Sequence, residues 1–148
     1  MDSSVGSELK QEQRFTLKDI KGNAVSLDQT LAQHQAVLLN FWATWCGYCV
    51  EEMPNLIRLQ DQYKDKGFTI LAVDVGEGQG AASAFSDKMK LNFPVVLDEE
   101  TAVAQQYGVV GIPTSILIDA KGRILGQFST YTPRLAEAVK RALEVPTS

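Results

Sequence analysis

The feature that most constrains the fold is an apolar run of strand length, VLLNFW at residues 37–42, with a helix-like pattern close behind it. A nearly continuous apolar run is typical of a strand that is buried on both faces of a sheet. Apolar side chains then recur at helical spacing through residues 50–63, and Lys66-Gly67 marks the end of that helix. A buried strand that leads into an amphipathic helix predicts an α/β fold with this strand at its centre.

The rest of the chain alternates strand and helix patterns around this unit. We predict strands at residues 14–17, 24–27, 68–75, 93–98, 114–119 and 123–128, and helices at residues 29–33, 81–90, 99–107 and 133–143. Asp28 is expected to cap the first of these helices, and Thr132-Pro133 to open the last. This order predicts a mixed central sheet with helices on both faces.

Length and composition suit one domain. The chain has 148 residues, of which 45% are hydrophobic and 22% charged, and its formal net charge is −4. Residues 1–13 are polar and are predicted to form a flexible segment, whereas residues 14–148 form the domain. The negative charge argues against nucleic acid or an anionic membrane as partner. No apolar stretch reaches 18 residues and no export signal is evident, which leaves open a cytosolic protein or an exported domain without its signal.

Both cysteines of the chain lie in the run WCGYC, residues 45–49, between the central strand and the helix. Two thiols at this spacing can close a small disulfide ring, and the helix N-terminus stabilises a thiolate, most of all at Cys46. A closed zinc site needs four ligands, whereas the chain has no third cysteine and one histidine, His34. A structural disulfide over so short a loop would remove little chain entropy. Redox chemistry of the Cys46–Cys49 pair is therefore favoured, with no metal and no other cofactor.

Two separated motifs resemble those of the thioredoxin fold: FWATWCGYC at residues 41–49 and GIPT at residues 111–114, ahead of the closing hairpin. The N-terminal hairpin and the helix and strand of residues 81–98 are similar to those of the TlpA/ResA-type thiol-disulfide oxidoreductases. The phrases that carry this closer resemblance are AVDVG at residues 72–76 and NFPVVLD at residues 92–98. The resemblance implies a thioredoxin-like mixed sheet with an N-terminal β-hairpin and a central helix-strand insertion.

The resemblance also assigns the site residues. Cys46 would attack a substrate disulfide, and Cys49 would resolve the mixed disulfide that forms. Pro113 would be a cis-proline opposite the cysteines, so that Ile112 presents its backbone to an extended client segment. The other substrate contacts that the resemblance implies are Trp45, Gly47, Tyr48 and Thr114.

A glutamate on the active-site helix completes the predicted site. Thioredoxin has a buried aspartate for proton transfer where this chain has Asn40, and an amide cannot titrate. The TlpA/ResA types carry a glutamate on the helix instead, and Glu52 stands at that position, three residues after Cys49 and on the same helical face. If partly buried, Glu52 would raise the pKa values of the thiols. Trp42 is expected in the core, and His34 at the solvated surface.

The function that the resemblance implies is the reduction of disulfides in extracytoplasmic proteins, including apocytochrome c during cytochrome c maturation. The protein would be a monomer outside the cytoplasm, with a disulfide-bearing client protein and an upstream membrane or soluble thiol donor as partners. A general thioredoxin-like reductant, or a disulfide oxidase or isomerase, is the alternative within this class. A copper-delivery protein on the same fold would bind Cu(I) through thiolates, but such relatives space their cysteines more widely and add a distal histidine.

Overall fold

The apolar run forms the middle strand of a five-stranded sheet in the computed structural model, which describes residues 5–144. A two-stranded sheet precedes it. The strands are β1 (Thr16–Lys18), β2 (Ala24–Ser26), β3 (Ala36–Trp42), β4 (Phe68–Val75), β5 (Val95–Asp98), β6 (Thr114–Asp119) and β7 (Ile124–Phe128). The α-helices are α1 (Leu27–Ala32), α2 (Gly47–Tyr63), α3 (Gln79–Met89), α4 (Ala102–Gln106) and α5 (Pro133–Glu144), and 3-10 turns span Gln11–Gln13 and Lys64–Lys66.

The sheet is mixed, as the alternation of elements predicts. Its strand order is β5-β4-β3-β6-β7. Strand β3 pairs in parallel with β4, and β4 with β5, whereas β6 pairs antiparallel with both β3 and β7. Every residue of β3 is buried, because neighbouring strands lie on both sides and helices cover both faces. The predicted central position of this strand is confirmed.

Alternate side chains of the strands enter two separate cores. On one face, which we call the site face, apolar side chains such as Leu38 and Ile70 pack with residues of α2, α3 and α5. On the opposite face, Leu39 and Leu71 pack with residues of α1 and α4. This period of two is what a strand imposes on its side chains. The prediction of helices on both faces is therefore confirmed.

Helix α2 begins at the cysteine motif and ends close to the predicted stop. Cys46 is its N-cap, and Pro54 lies inside it. Gly67 follows the last 3-10 turn with a φ of 87°, a left-handed conformation that ends helices and favours glycine. Within residues 5–144, no helix combines the length and the apolar character that crossing a bilayer requires.

The helix boundaries differ from the sequence-based expectation in two places. Helix α1 is capped by Ser26, whose hydroxyl accepts a hydrogen bond from the Gln29 amide at 3.3 Å. Asp28 instead pairs with Arg14 at 2.6 Å, so its predicted capping role is wrong. Helix α4 starts only at Ala102, because residues 98–101 turn and Thr101 takes a positive φ of 60°.

Residues 5–13, which belong to the segment predicted to be flexible, contact the rest of the domain. The Gly6 amide donates to the Ile124 carbonyl at 2.7 Å, and the Leu9 amide to the Gly122 carbonyl at 2.9 Å. Leu9 is buried in the core of the opposite face. One apolar side chain thus anchors a polar segment. The predictions for residues 1–4 and 145–148 lie outside the described residues.

The edge strands of the sheet are both contacted by the N-terminal part of the chain. Glu8 forms an antiparallel bridge with Arg123, just before β7. At the other edge, Asp19 forms an antiparallel bridge with Val96 of β5, and the Ile20 amide donates to the Val95 carbonyl at 3.2 Å. The β1–β2 hairpin is thereby held against β5.

Candidate active site

Cys46 and Cys49 are joined by a disulfide at the N-terminus of α2, with their Cα atoms 5.2 Å apart. The Cys46 Sγ accepts a hydrogen bond from the Cys49 amide at 3.2 Å, as an N-cap side chain does. Cys46 is 7% exposed and Cys49 is fully buried. Cys46 is therefore the cysteine nearer to solvent, as its expected role in attack requires. The unpaired amides of the first helical turn favour negative charge at Cys46 once the pair is reduced.

The loop before β6 lies against the disulfide. The Ile112–Pro113 peptide bond is cis, as the resemblance implies. The Cys46 Sγ lies 3.7 Å from the Ile112 carbonyl oxygen. Thr114 is buried, and its hydroxyl donates to the Gly111 carbonyl at 2.6 Å. Thr114 therefore holds the loop that presents Ile112.

Exposed apolar side chains lie within the motif and in the loop before Pro113. Trp45 and Tyr48 are each 73% exposed, and Val110, in the loop that leads to Pro113, is fully exposed. These three, which we call the apolar rim, are three of the four large apolar side chains that are exposed among residues 5–144. Gly47 lies between them and would have open space beside a Cβ atom. Val110 was missed from the sequence, because an apolar residue in a short Val-Val-Gly run gives no sign of exposure.

Trp42 lies in the core, as expected, whereas His34 is half-buried rather than at the solvated surface. Trp42 is fully buried and packs on Phe85 of α3, with ring centroids 5.0 Å apart. Its role is therefore in the core. The His34 Nδ1 lies 2.8 Å from the Thr30 carbonyl oxygen at the end of α1, on the opposite side of the sheet from the helix that carries the cysteines.

Glu52 lies in the second turn of α2 and is buried, which fulfils the condition under which it would act on the thiols. Its Oε2 accepts a hydrogen bond from the Asn40 Nδ2 at 3.3 Å, and the same nitrogen donates to the Ser115 Oγ at 2.9 Å. Burial raises the pKa of Glu52 to about 7, although hydrogen bonds from Asn40 and the Tyr131 backbone oppose this rise. A carboxyl group with such a pKa can take up or release a proton near neutral pH.

Ser115 is a member of this network that sequence reasoning missed. Asn40 and Ser115 are directly opposite each other on β3 and β6. Their contact depends on the register of two strands that are 75 residues apart in the chain. A serine at the start of a strand carries no local signal of that pairing.

A second group of polar side chains holds the turn before the cysteines. The Glu77 Oε1 accepts from the Thr44 amide at 2.7 Å, and its Oε2 accepts from the Thr44 hydroxyl at 2.6 Å. Asp74 lies beside Glu77, and burial, followed by the Glu77 carboxylate, raises the pKa of Asp74 to about 9. The pKa of Glu77 is lowered, because its hydrogen bonds with Asp74 and Thr44 outweigh the effect of partial burial. Asp74 was missed, although an aspartate within the apolar run of residues 68–75 is a signal that could have been followed.

Comparison with known proteins identifies the family of the chain. The model of the AhpC/TSA family matches residues 9–126. The thiol-disulfide oxidoreductase ResA of Geobacillus kaustophilus is 40% identical over 130 residues, which cover 88% of this chain and 72% of that protein. ResA of Bacillus thuringiensis subsp. konkukian is 37% identical over 116 residues, which cover 78% of this chain. The match spans 66% of the length of that relative.

Solved structures show the same fold. The thioredoxin domain of a thiol-disulfide oxidoreductase from Bacteroides vulgatus superposes with a TM-score of 0.84 at 29% identity, covering 97% of this chain and 100% of that one. A thiol:disulfide interchange protein from Bacteroides sp. superposes with a TM-score of 0.81 at 30% identity, covering 95% of this chain and 91% of that one. The chain has the thioredoxin-like fold and belongs to the AhpC/TSA family, together with the ResA thiol-disulfide oxidoreductases.

Proposed function

We propose that the protein is a thiol-disulfide oxidoreductase that reduces disulfides in client proteins. The observation that carries this proposal is the Cys46–Cys49 disulfide at the N-terminus of α2, with the Cys46 Sγ 3.7 Å from the Ile112 carbonyl beside cis-Pro113. This arrangement places a reactive sulfur next to a backbone that an extended client can contact. The ResA relatives are named for the same chemistry.

The reaction starts from the reduced pair. The Cys46 thiolate attacks one sulfur of the client disulfide, the client S–S bond breaks, and the second client sulfur leaves as a thiolate that takes a proton. Cys49, deprotonated, then attacks the Cys46 Sγ. The mixed disulfide breaks, the first client sulfur leaves as a thiol, and the Cys46–Cys49 disulfide forms. Two electrons pass to the client, and an upstream dithiol donor restores the reduced pair.

Glu52 is the proposed proton carrier for Cys49. It lies one helical turn beyond Cys49 on α2, is buried, and has a pKa near 7. Its Oε2 is held by Asn40, an amide that orients the carboxyl group without competing for the proton. Glu52 therefore takes the place of a strand carboxylate as the titrating group beside the resolving thiol.

Client binding is assigned to the Ile112 backbone and the apolar rim. An extended client segment beside Ile112 would bring its disulfide to Cys46, while Trp45, Tyr48 and Val110 bury apolar client side chains. Exposed aromatic side chains of this kind are frequent anchors at protein interfaces. Because the contacts use backbone and apolar surface, they suit unfolded or extended clients.

The finer proposal concerns the client and the compartment. The resemblance to the TlpA/ResA types and the ResA relatives favour an extracytoplasmic reductase, with apocytochrome c among its clients. Haem attachment requires both client cysteines as thiols, so a reductase must act before it. The haem-attachment motif C-x-x-C-H places those thiols in a short, extended segment that fits the proposed binding mode.

Trapping of the mixed disulfide tests the proposal. Reduced Cys49→Ala protein is mixed with an oxidised peptide that carries C-x-x-C-H, and we expect a covalent complex through Cys46 in intact-mass spectrometry. The matched control, Cys46→Ala, retains one cysteine in the buried position and should form much less complex. Equal trapping by both variants would contradict the assigned order of the two cysteines.

The reduction potential of the pair tests the direction. Equilibration with glutathione or thioredoxin should give a low value, near the roughly −270 mV of thioredoxin. A value near the roughly −120 mV of a strong disulfide oxidant would overturn the reductase proposal in favour of an oxidase.

A further inference from the structure

Asp74 is a buried carboxyl group on the site face that the proposed exchange reaction does not use. It is fully buried on β4. Neither of its oxygens accepts a hydrogen bond from an N–H or O–H group among residues 5–144. The partner within hydrogen-bonding reach is the carboxyl group of Glu77. Two ionised carboxylates are both acceptors and repel each other, so this pair can form a hydrogen bond only if it holds a proton.

The proton belongs on Asp74, because Glu77 is already engaged as an acceptor. Both Glu77 oxygens accept from Thr44, one from the amide at 2.7 Å and one from the hydroxyl at 2.6 Å. Bonds of this kind favour the ionised form of a carboxyl group. Asp74 lacks such donors and is more deeply buried, which favours its neutral form.

Thr44 connects this pair to the reactive sulfur. It lies in the turn between β3 and α2, directly before Trp45 and Cys46. The Cys46 amide closes the same turn through a hydrogen bond to the Ala43 carbonyl at 3.2 Å. Through its hydrogen bonds to Thr44, Glu77 therefore links the loop after β4 to the turn between β3 and α2. A shift of Thr44 would move both the exposed indole of Trp45 and the Cys46 Sγ.

We propose that Asp74 is a positioning residue for the active site, which donates its proton to Glu77 and thereby keeps the Glu77 carboxylate bonded to the Thr44 turn that carries Cys46. The proton sharing is argued from the burial of Asp74, from its lack of donors among residues 5–144 and from the Glu77–Thr44 hydrogen bonds. Only its effect on disulfide exchange rests on the proposed function. The chain of contacts runs from Asp74 to Glu77, then to Thr44, and through the turn to Cys46.

The surroundings of Asp74 make its ionisation depend on Glu77. Its neighbours on the adjacent strands are Trp42 on β3 and Leu97 on β5, and Ala82 and Phe85 of α3 belong to the apolar core of the same face. None of these side chains titrates. The other carboxyl group of the site face, Glu52, is bonded to Asn40, and Cys46 and Cys49 titrate only in the reduced protein. In the oxidised protein, Glu77 is thus the titratable group that acts on Asp74.

The proposal predicts an alkaline transition in the turn. Loss of the Asp74 proton, whose pKa is raised to about 9, would put two negative charges in contact. The repulsion would displace Glu77 from Thr44. Backbone NMR of the oxidised full chain reports this directly, because the Thr44 amide proton is the donor to Glu77 and no thiol titrates in that form.

The decisive comparison is between wild type and Asp74→Asn. Asparagine can donate to Glu77 at every pH, so the bond to Thr44 persists without a titrating proton. We expect the Thr44 amide shift of the wild type to change with a midpoint near pH 9, and that of Asp74→Asn to remain constant. A wild-type shift that is flat up to pH 11, or the same transition in Asp74→Asn, would overturn the proposal.

The effect on exchange is measured separately, as the rate at which dithiothreitol reduces the Cys46–Cys49 disulfide at pH 7. Asp74→Leu removes the donor, and we expect the rate to change by about tenfold because the turn that holds Cys46 shifts. Asp74→Asn should restore most of the wild-type rate. Equal rates in wild type and Asp74→Leu would overturn the positioning role.

Two measurements make the test of Asp74 independent of the folding of Asp74→Leu and of the proposed function. If Asp74→Leu does not fold, the NMR comparison of wild type with Asp74→Asn still decides the proton sharing. If the Thr44 amide titrates as expected but Cys49→Ala traps no client, the proposed function fails while the Asp74 assignment stands.

Discussion

The two faces of the central sheet differ in the side chains that the same strands bury there. On the opposite face, Leu39 and Phe41 of β3 and Leu71 and Val73 of β4 enter an apolar core. On the site face, the same two strands place Asn40 and Asp74 among apolar side chains, both fully buried. Burying polar groups costs free energy unless they find partners. The polar groups of the site face lie toward the ends of β3 and β4 that meet the cysteines, which indicates that they serve the site.

A second aspartate shows how a buried carboxylate is used for structure alone. Asp98 ends β5 and is buried, but its Oδ1 accepts from the Val103 amide at 3.1 Å and its Oδ2 from the Ala104 amide at 2.9 Å. Asp98 thereby provides hydrogen-bond acceptors for amides in the first turn of α4. Asp74 lies one residue before the end of the neighbouring strand, without any such donor. The difference separates a carboxylate that stabilises a helix from one that must keep a proton.

Leu39→Ala should have the largest effect on stability, because it leaves a cavity in the apolar core. Leu39 is fully buried on the opposite face, and we expect a loss of about 2–5 kcal/mol in the free energy of unfolding. The reduction potential should not change, since the oxidised and reduced forms lose the same packing. Urea unfolding and glutathione equilibration measure the two quantities, and a shifted potential would contradict the functional separation of the faces.

Glu52→Gln should change how stability depends on pH. Because the folded protein raises the pKa of Glu52 from 4.5 to about 7, it binds a proton that the unfolded chain releases, and stability falls as the pH rises through this window. Glutamine cannot titrate, so the variant does not lose this stability as the pH rises. The free energy of unfolding of the variant minus that of wild type should therefore be roughly 3 kcal/mol larger at pH 8 than at pH 4.

Urea unfolding of the oxidised proteins at both pH values checks this expectation. Glu51→Gln is the matched control, because Glu51 is the exposed neighbour on the same helix. Parallel pH dependence of Glu52→Gln and wild type would show that Glu52 is not the titrating group of the site face.

Asp98→Ala should lower stability by about 1–3 kcal/mol, because two amides of α4 lose their acceptor. The reduction potential should not move. Glu99→Ala, an exposed neighbour, is the control for loss of charge. A changed potential in Asp98→Ala would mean that this carboxylate also acts on the site.

Trp45→Ala should have the smallest effect on stability, within about 0.5 kcal/mol, because the side chain is 73% exposed. Trapping of the client peptide through Cys46 should nevertheless slow, since an anchor of the apolar rim is lost. Val5→Ala, which removes an exposed apolar side chain away from the motif, is the control. Equal trapping rates in the two variants would remove Trp45 from the client surface.

Local patterns in the sequence predicted much of the fold and the centre of the site. The apolar run of β3, the cysteines at the start of α2 and the proline loop each carry their signal within a few adjacent residues. Glu52 was found through the resemblance to the TlpA/ResA types, and helical spacing places it on the face of Cys49. In these cases the physical cause is local, so reading a short window is enough.

The features that were missed depend on contacts between distant segments. Asn40 meets Ser115 through the register of β3 and β6, and Thr44 meets Glu77 across two loops. The docking of residues 5–13 depends on Leu9 entering a core that other elements build. No window of the sequence contains both partners of such a contact, and composition alone assigned this polar segment to flexibility.

The contacts that the N-terminal part makes with β5 and β7 also bear on self-association. Unpaired edge strands are templates on which other chains add strands, and proteins avoid aggregation by covering them. Here residues 6–9 lie along the start of one edge, and Asp19 and Ile20 along the other. Intermolecular strand addition is thereby discouraged at these positions. Ile112 lies in the loop before β6 rather than on an edge strand, so the proposed binding of an extended client beside it would not require an exposed edge of the sheet.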